Sequence, residues 1–266
     1  MTEQLTPDTD TADAPLLIEH IDGVAVLTLN RPARRNAVDH PTARLLSVAL
    51  DELDADDEVH VAVLTGRGGF FSAGMDLKAY AATGQRPVDE HRGGFGIVGK
   101  PPVKPVIAAV EGPAMGGGFE IALACDLIVA GRSASFGLPE VRRGLVASGG
   151  GMLRLPRRIP RNLAHEAVLT GRPLTATRCA ELGLVNRVVD DGAALDAARE
   201  LAAEIAGNAP LALRASKAVM AASALWPDDE QFARQELLIE PVRSSQDARE
   251  GARAFAEKRA PRWRGR

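Results

Sequence analysis

The stretch PVIAAVEGPAMGGGFEIALACDLIVA, residues 105–130, holds two short apolar runs, at 105–110 and 127–130, on either side of a glycine-rich turn and an apolar segment at 117–124. Each run lacks polar alternation and is too short for a helix, which is the pattern of a strand buried on both faces; residues 117–124 suit a helix between them. Strand, turn, helix and strand in that order predict an α/β chain with a mostly parallel sheet. The turn Gly112-Pro113-Ala114-Met115-Gly116-Gly117-Gly118 lets main chain approach a ligand closely, and the helix it opens turns free N–H groups toward that ligand. Glu120 stands just behind it and Glu140 follows Pro139 further on. Folding can bring these carboxylates together as an acid–base pair.

Working outward, residues 18–29 read as a β-hairpin with Asp22-Gly23 at its turn, residues 41–54 carry leucines and alanines at helical period, and residues 59–65 form a β-branched run closed by Gly66. Phe71-Ser72-Ala73-Gly74-Met75-Asp76-Leu77 follows that run as a strand-to-helix turn with Asp76 as its cap, so two turns can each aim an amide at one oxygen. Residues 82–102 form a long breaker-rich loop, expected to be mobile and to cover a site. Beyond Gly149, residues 163–169, 176–182, 195–205, 212–222, 232–239 and 248–258 read helical, broken by Pro160, Pro173, Pro210, Pro227 and Pro241. The expected organisation is a loose tail over 1–15, a sheet-and-helix core over 16–195 and a helical segment over 196–266.

Composition narrows the function classes. With 266 residues, 45% hydrophobic and 25% charged, the chain is an ordinary globular one, and its net charge of −3 offers no global field for nucleic acid, although residues 249–266 are Arg-rich. No segment is apolar for long enough to span a membrane. Cys125 and Cys179 lie far apart with no C-x-x-C pair, which fits a reducing cytoplasm. The five histidines lack metal-ligand spacing, and no metal is expected. Gly94-x4-Gly99-Lys100 has the spacing of a phosphate loop, but Pro101 stands where a hydroxyl and a helix start are needed. Ser148 lacks the first glycine of a nucleophile elbow and reads as the cap of a following helix.

Together these pieces resemble the crotonase, or enoyl-CoA hydratase/isomerase, superfamily. The likeness is carried by Leu29-Asn30-Arg31-Pro32 with Asn36-Ala37, Phe71-Ser72-Ala73-Gly74-x-Asp76-Leu77, the Gly116 to Asp126 stretch, Phe136-Gly137-x-Pro139-Glu140, Thr170-Gly171-Arg172, Gly183-Leu184-Val185-Asn186 and Ala254-Phe255-x-Glu257-Lys258-Arg259, in shared order over nearly the whole chain. Within it the chain is similar to carnitinyl-CoA dehydratase-like members, although 4% aromatics offer few faces for a trimethylammonium group.

The resemblance implies a ββα spiral core with a helical C-terminal trimerisation segment, assembled as trimers or as hexamers made of two trimers. It implies an acyl-CoA substrate, no separate cofactor, and reversible addition of water to a 2-enoyl-CoA. The backbone N–H groups of Ala73 and Gly117 would hold the thioester oxygen, Glu120 would activate water, and Glu140 would exchange a proton with the α-carbon. Arg34, Arg35, Ala37, Gly74, Met75, Asp76, Leu77, Gly116, Pro139 and Gly149 would surround the substrate. Phe255 and Lys258 would reach the CoA bound by a neighbouring subunit. Double-bond isomerisation, or a non-catalytic scaffold binding CoA or RNA, are the alternatives.

Overall fold

The computed structural model describes residues 13–266. The loose tail expected over 1–15 lies mostly outside these residues, and at its end Pro15 accepts a backbone hydrogen bond from Asn30 at 2.8 Å.

Six strands, Leu16–Ile21, Val24–Leu29, Val61–Gly66, Val106–Val110, Leu127–Gly131 and Arg187–Val189, lie side by side in chain order. The first pair is the expected antiparallel hairpin and the remaining pairs are parallel. Side chains alternate across the sheet, as the two-residue period requires. Val24, Val26, Val61, Val63, Ile107 and Ala109 pack on one face with Ala198 and Ala202 of the helix Ala194–Ala206. Leu27, Leu29, Leu64 and Ala108 pack on the other with Leu46 and Leu50 of the helix His40–Ala55. Burial of each such leucine is worth about 1.5–3 kcal/mol. Helix Ala194–Ala206 runs across the division expected at 195–196 and packs on the sheet.

A second, small sheet explains the spiral. Pro113–Met115 pairs in parallel with Ser135–Gly137, and Ser72 bridges Ala114 in the same sense one turn earlier. The chain therefore repeats a unit: a strand in the large sheet, a short strand in the small one, then a helix. Its first two turns end in Leu77–Thr83 and Gly117–Ala124, and the third in a short 3-10 turn, Pro139–Arg143.

Helix His40–Ala55 is closed at both ends by side chains. Asp39 accepts from the Thr42 amide at 3.0 Å, and the ammonium of Lys104, which is buried, donates to the carbonyls of Leu53 and Asp56. Cations suit that end of a helix because its last carbonyls lack partners.

Several expectations are corrected. Residues 82–102 are packed rather than loose: Val88–Asp89 pairs with Gly93–Gly94, and the guanidinium of Arg92 is buried against Asp51 and Asp54. The helix expected after Ser148 is Gly151–Arg158, with Pro156 inside it, and its N-cap is Gly150 with φ 94°, not Ser148. Pro241 lies inside the helix Gln231–Arg243 instead of ending it. Both prolines stand in the last turn, where the missing amide removes one hydrogen bond at the point where the helix stops anyway.

The C-terminal helices bury very little. Pro210–Ser223 buries only Pro210 and Gln231–Arg243 buries nothing, while Phe232 and Phe255 are 83% and 88% exposed.

Candidate active site

The spiral brings together residues that are distant in sequence, because each turn leaves the small sheet at an equivalent point. The three exits are Gly74 to Asp76, Gly116 to Gly117 and Leu138 to Glu140, and they border one cavity of about 1240 Å³. Of the residues singled out from sequence, Arg34, Arg35, Ala37, Ala73, Met75, Asp76, Leu77, Gly116, Gly117, Glu120, Pro139 and Glu140 line it. Gly74 and Gly149 stand just behind the wall. Phe255 and Lys258 are exposed on the C-terminal helix and take no part in the cavity of their own chain.

The main-chain donors differ from the expected pair. The amide of Ala73 donates to the Arg35 carbonyl at 3.0 Å, that of Gly74 to the Ser72 hydroxyl at 3.1 Å, and that of Asp76 to the Val38 carbonyl at 2.9 Å. Ala73 is thus committed to the scaffold. Among the described residues Met75 keeps its N–H unbonded at the cavity wall, and so does Gly117, whose amide opens a helix and has no carbonyl one turn back. The sequence held a signal for this. Each free amide follows a left-handed glycine, Gly74 at φ 82° and Gly116 at φ 54°, and such a glycine reverses the next peptide. Gly74 also keeps the passage open, since a Cβ there would lie 2.6 Å from the Gly117 nitrogen.

The two glutamates are placed differently. Glu120 is buried in helix Gly117–Ala124, and its Oε1 accepts from the Gly151 amide at 2.9 Å. Burial pushes its carboxyl up and the Glu140 charge adds to this, while the Gly151 and Gly149 amides and Arg154 pull it down. Burial pushes Glu140 up as well, against Arg143, and its Oε2 is enclosed without a hydrogen-bond partner. Both carboxyls are thus raised by burial; Glu120 is in addition oriented by donors that favour its ionised form, whereas Glu140 Oε2 has no such donor and is free to carry a proton. Gly149 makes the close fit possible, because a Cβ there would stand 2.6 Å from Glu120 Oε2.

Asp76 works for the scaffold. It caps Leu77–Thr83 by accepting from the Lys78 and Ala79 amides at 3.1 and 3.0 Å, and it pairs with Arg31 at 3.0 Å. Burial alone would raise its carboxyl, but the Ala79 amide and Arg31 outweigh burial and hold it below the ordinary value. The Arg34-Arg35 turn is fixed by the buried Asn36, which accepts from Arg31 N and donates to the carbonyls of Arg67 and Phe70. Both guanidinium-bearing residues stay exposed at the cavity rim, with Arg35 5.5 Å from the centre of the Phe70 ring.

Residues 82–102 border the site, as expected, through Arg86 and the ring of Phe95, a residue the sequence did not single out, and Tyr80 and Arg142 also line the cavity. The sequence offered only composition for this loop, and the buried Arg92 pairing that places Phe95 connects residues about forty positions apart.

Comparison with known proteins agrees with the fold. The family model described as "Enoyl-CoA hydratase/isomerase" matches residues 19–266. The chain is 43% identical over 258 residues to an enoyl-CoA hydratase, EchA19, of Mycobacterium tuberculosis, covering 94% of this chain and 96% of the relative. It is 45% identical over 249 residues to a carnitinyl-CoA dehydratase of Salmonella typhi, covering 90% and 94%. A crystal structure of an enoyl-CoA hydratase from M. tuberculosis H37Rv matches with a TM-score of 0.93 at 53% identity, covering 95% of this chain and 99% of that one.

Proposed function

We propose, from the premise that this chain belongs to the enoyl-CoA hydratase/isomerase family, that it is a hydro-lyase adding water reversibly to the double bond of a 2-enoyl-CoA. One observation carries the reading: two amides unbonded among the described residues share one cavity with the buried carboxylate of Glu120 and the half-buried one of Glu140. The thioester oxygen fits between the amides of Met75 and Gly117, where negative charge gathers as the enolate forms. A donor of this kind is typically worth about 3 kcal/mol of barrier. Glu120, oriented by its amide donors, takes a proton from the water that adds to the β-carbon. Glu140 delivers a proton to the α-carbon, and the dehydration runs the same steps backward. Proton transfers from positioned groups contribute roughly 100- to 10,000-fold.

Arg34 and Arg35 at the rim suit the phosphates of CoA. The exposed apolar side chains on helices that bury almost nothing within their own chain support assembly as trimers or hexamers, which would bring Phe255 and Lys258 to a neighbour's CoA. No described helix is long and apolar enough to cross a membrane, and both cysteines are free, which supports a cytoplasmic setting.

The test follows loss of the enoyl-thioester chromophore in wild type, Glu120→Gln and Glu140→Gln. Both substitutions should lower kcat by roughly 100-fold or more. Full hydration by Glu120→Gln would refute the assigned roles, and double-bond migration without hydration would establish an isomerase instead.

A further inference from the structure

The Phe95 ring touches the glycines on both sides of the reacting groups. A Cβ on Gly117 would lie 2.0 Å from Phe95 Cζ, and one on Gly149 would lie 3.0 Å from Cε2 and 2.6 Å from Glu120 Oε2. The ring therefore flanks the line from the Gly117 amide to the Glu120 carboxylate, along which the first three acyl carbons must lie. Behind Glu120 the space is closed by buried Leu138, whose Cδ1 would stand 2.9 Å from a Cβ on Gly151.

The ring is also held in place. Its residue has φ 55°, its amide donates to the Pro87 carbonyl at 2.6 Å, and the next residue, Gly96, fits only without a Cβ, which would come 2.0 Å from the Ala43 carbonyl oxygen. Arg92, 1% exposed, bolts the same loop to helix His40–Ala55 through Asp51 at 2.7 Å and Asp54 at 2.8 Å, and donates to the Lys100 carbonyl at 2.9 Å. A wall fastened at so many points does not swing aside for a longer substrate.

Resting on the hydratase reading above, we propose that Phe95 is a specificity-determining residue, and that it restricts the enzyme to short, apolar acyl groups by occupying the space beyond the β-carbon.

The test compares four-carbon and eight-carbon 2-enoyl-CoA esters in wild type, Phe95→Leu and Phe95→Ala, with the affinity of the corresponding saturated acyl-CoA esters measured calorimetrically. Each methylene that meets a filled pocket is worth roughly 10-fold or more. Wild type should favour the four-carbon ester in kcat/KM by at least that factor. Phe95→Ala should erase the preference mainly by lowering KM for the longer ester, with Phe95→Leu intermediate and thermal melts confirming that both variants fold. An unchanged ratio in Phe95→Ala, or a wild type that already takes both esters equally, overturns the proposal. The binding arm separates the two readings: a Phe95-dependent length preference in saturated esters without any turnover would uphold the wall and sink the hydratase assignment.

Discussion

Gly74→Ala puts a single methyl group between the two turns proposed to hold the thioester oxygen. Its Cβ would come within 2.6 Å of the Gly117 nitrogen and 2.9 Å of the Met115 oxygen, both main-chain atoms that cannot rotate away. The residue also sits at φ 82°, where an alanine costs about 1–2 kcal/mol. Stability should fall by roughly that amount, or slightly more once the clash is relieved. Catalysis should suffer further, because any relief moves or covers the Gly117 amide, and loss of one such donor costs about 2.7–4 kcal/mol, roughly 100- to 1000-fold in kcat. The assay is kcat and KM from the enoyl-thioester chromophore, with circular dichroism melts beside it. Ala73→Gly is the control: its amide is bound by the Arg35 carbonyl and the change removes only a methyl group from the cavity wall, so kcat should fall far less than in Gly74→Ala. A folded Gly74→Ala enzyme with kcat near wild type would refute the amide assignment, as would an Ala73→Gly enzyme as damaged as Gly74→Ala.

Gly149→Ala should drive its methyl into Glu120 Oε2, 2.6 Å away, and displace the carboxylate; kcat should drop about 100-fold with little change in melting, since misplacement by an ångström has that effect. Glu120→Gln should melt higher than wild type near neutral pH. Burial raises the folded carboxyl above its ordinary 4.5, so its contribution to stability is complete below that value and is lost as pH rises through the raised one. The advantage of the variant, read from Tm across a pH series, should therefore vanish toward acid; an advantage that grows toward acid would contradict the burial argument. Asp76→Ala removes a helix cap and the partner of Arg31, so stability should fall by at least about 1 kcal/mol and KM should rise as the Arg34-Arg35 turn loosens, which denaturant unfolding and steady-state kinetics would show.

Regular elements were readable where one local signal decided them. Helix Gly117–Ala124 matched its apolar segment to the residue, and the hairpin turned at Asp22-Gly23, since a turn residue and an apolar period each act over a few positions. Helix Gly151–Arg158 was readable as a helix after Ser148, but its start was not: the Gly150 cap goes with burial of Leu155 and the Gly151 amide bonded to Glu120, partners supplied by other parts of the chain. The same distinction holds in the site. Glu120 and Glu140 were singled out from the glycine turn and the Pro-Glu step and the Gly117 amide from the family resemblance, and all three residues line the cavity. The second amide was placed two residues early, at Ala73, because only the folded chain shows which carbonyl each N–H meets. Phe95 gave no sign at all, being aimed by a left-handed backbone and a buried arginine from its own loop.

In the proposed mechanism Met75 offers the substrate its peptide nitrogen, while its side chain packs partly into the hydrophobic core. The group that would bear charge is thus independent of which amino acid is encoded there, provided it is not proline and a glycine precedes it. Mutation can then alter the neighbouring pocket at this codon while the electrostatics of the reaction stay constant. A lineage can move to a new acyl group by changing side chains at such positions without first losing its chemistry.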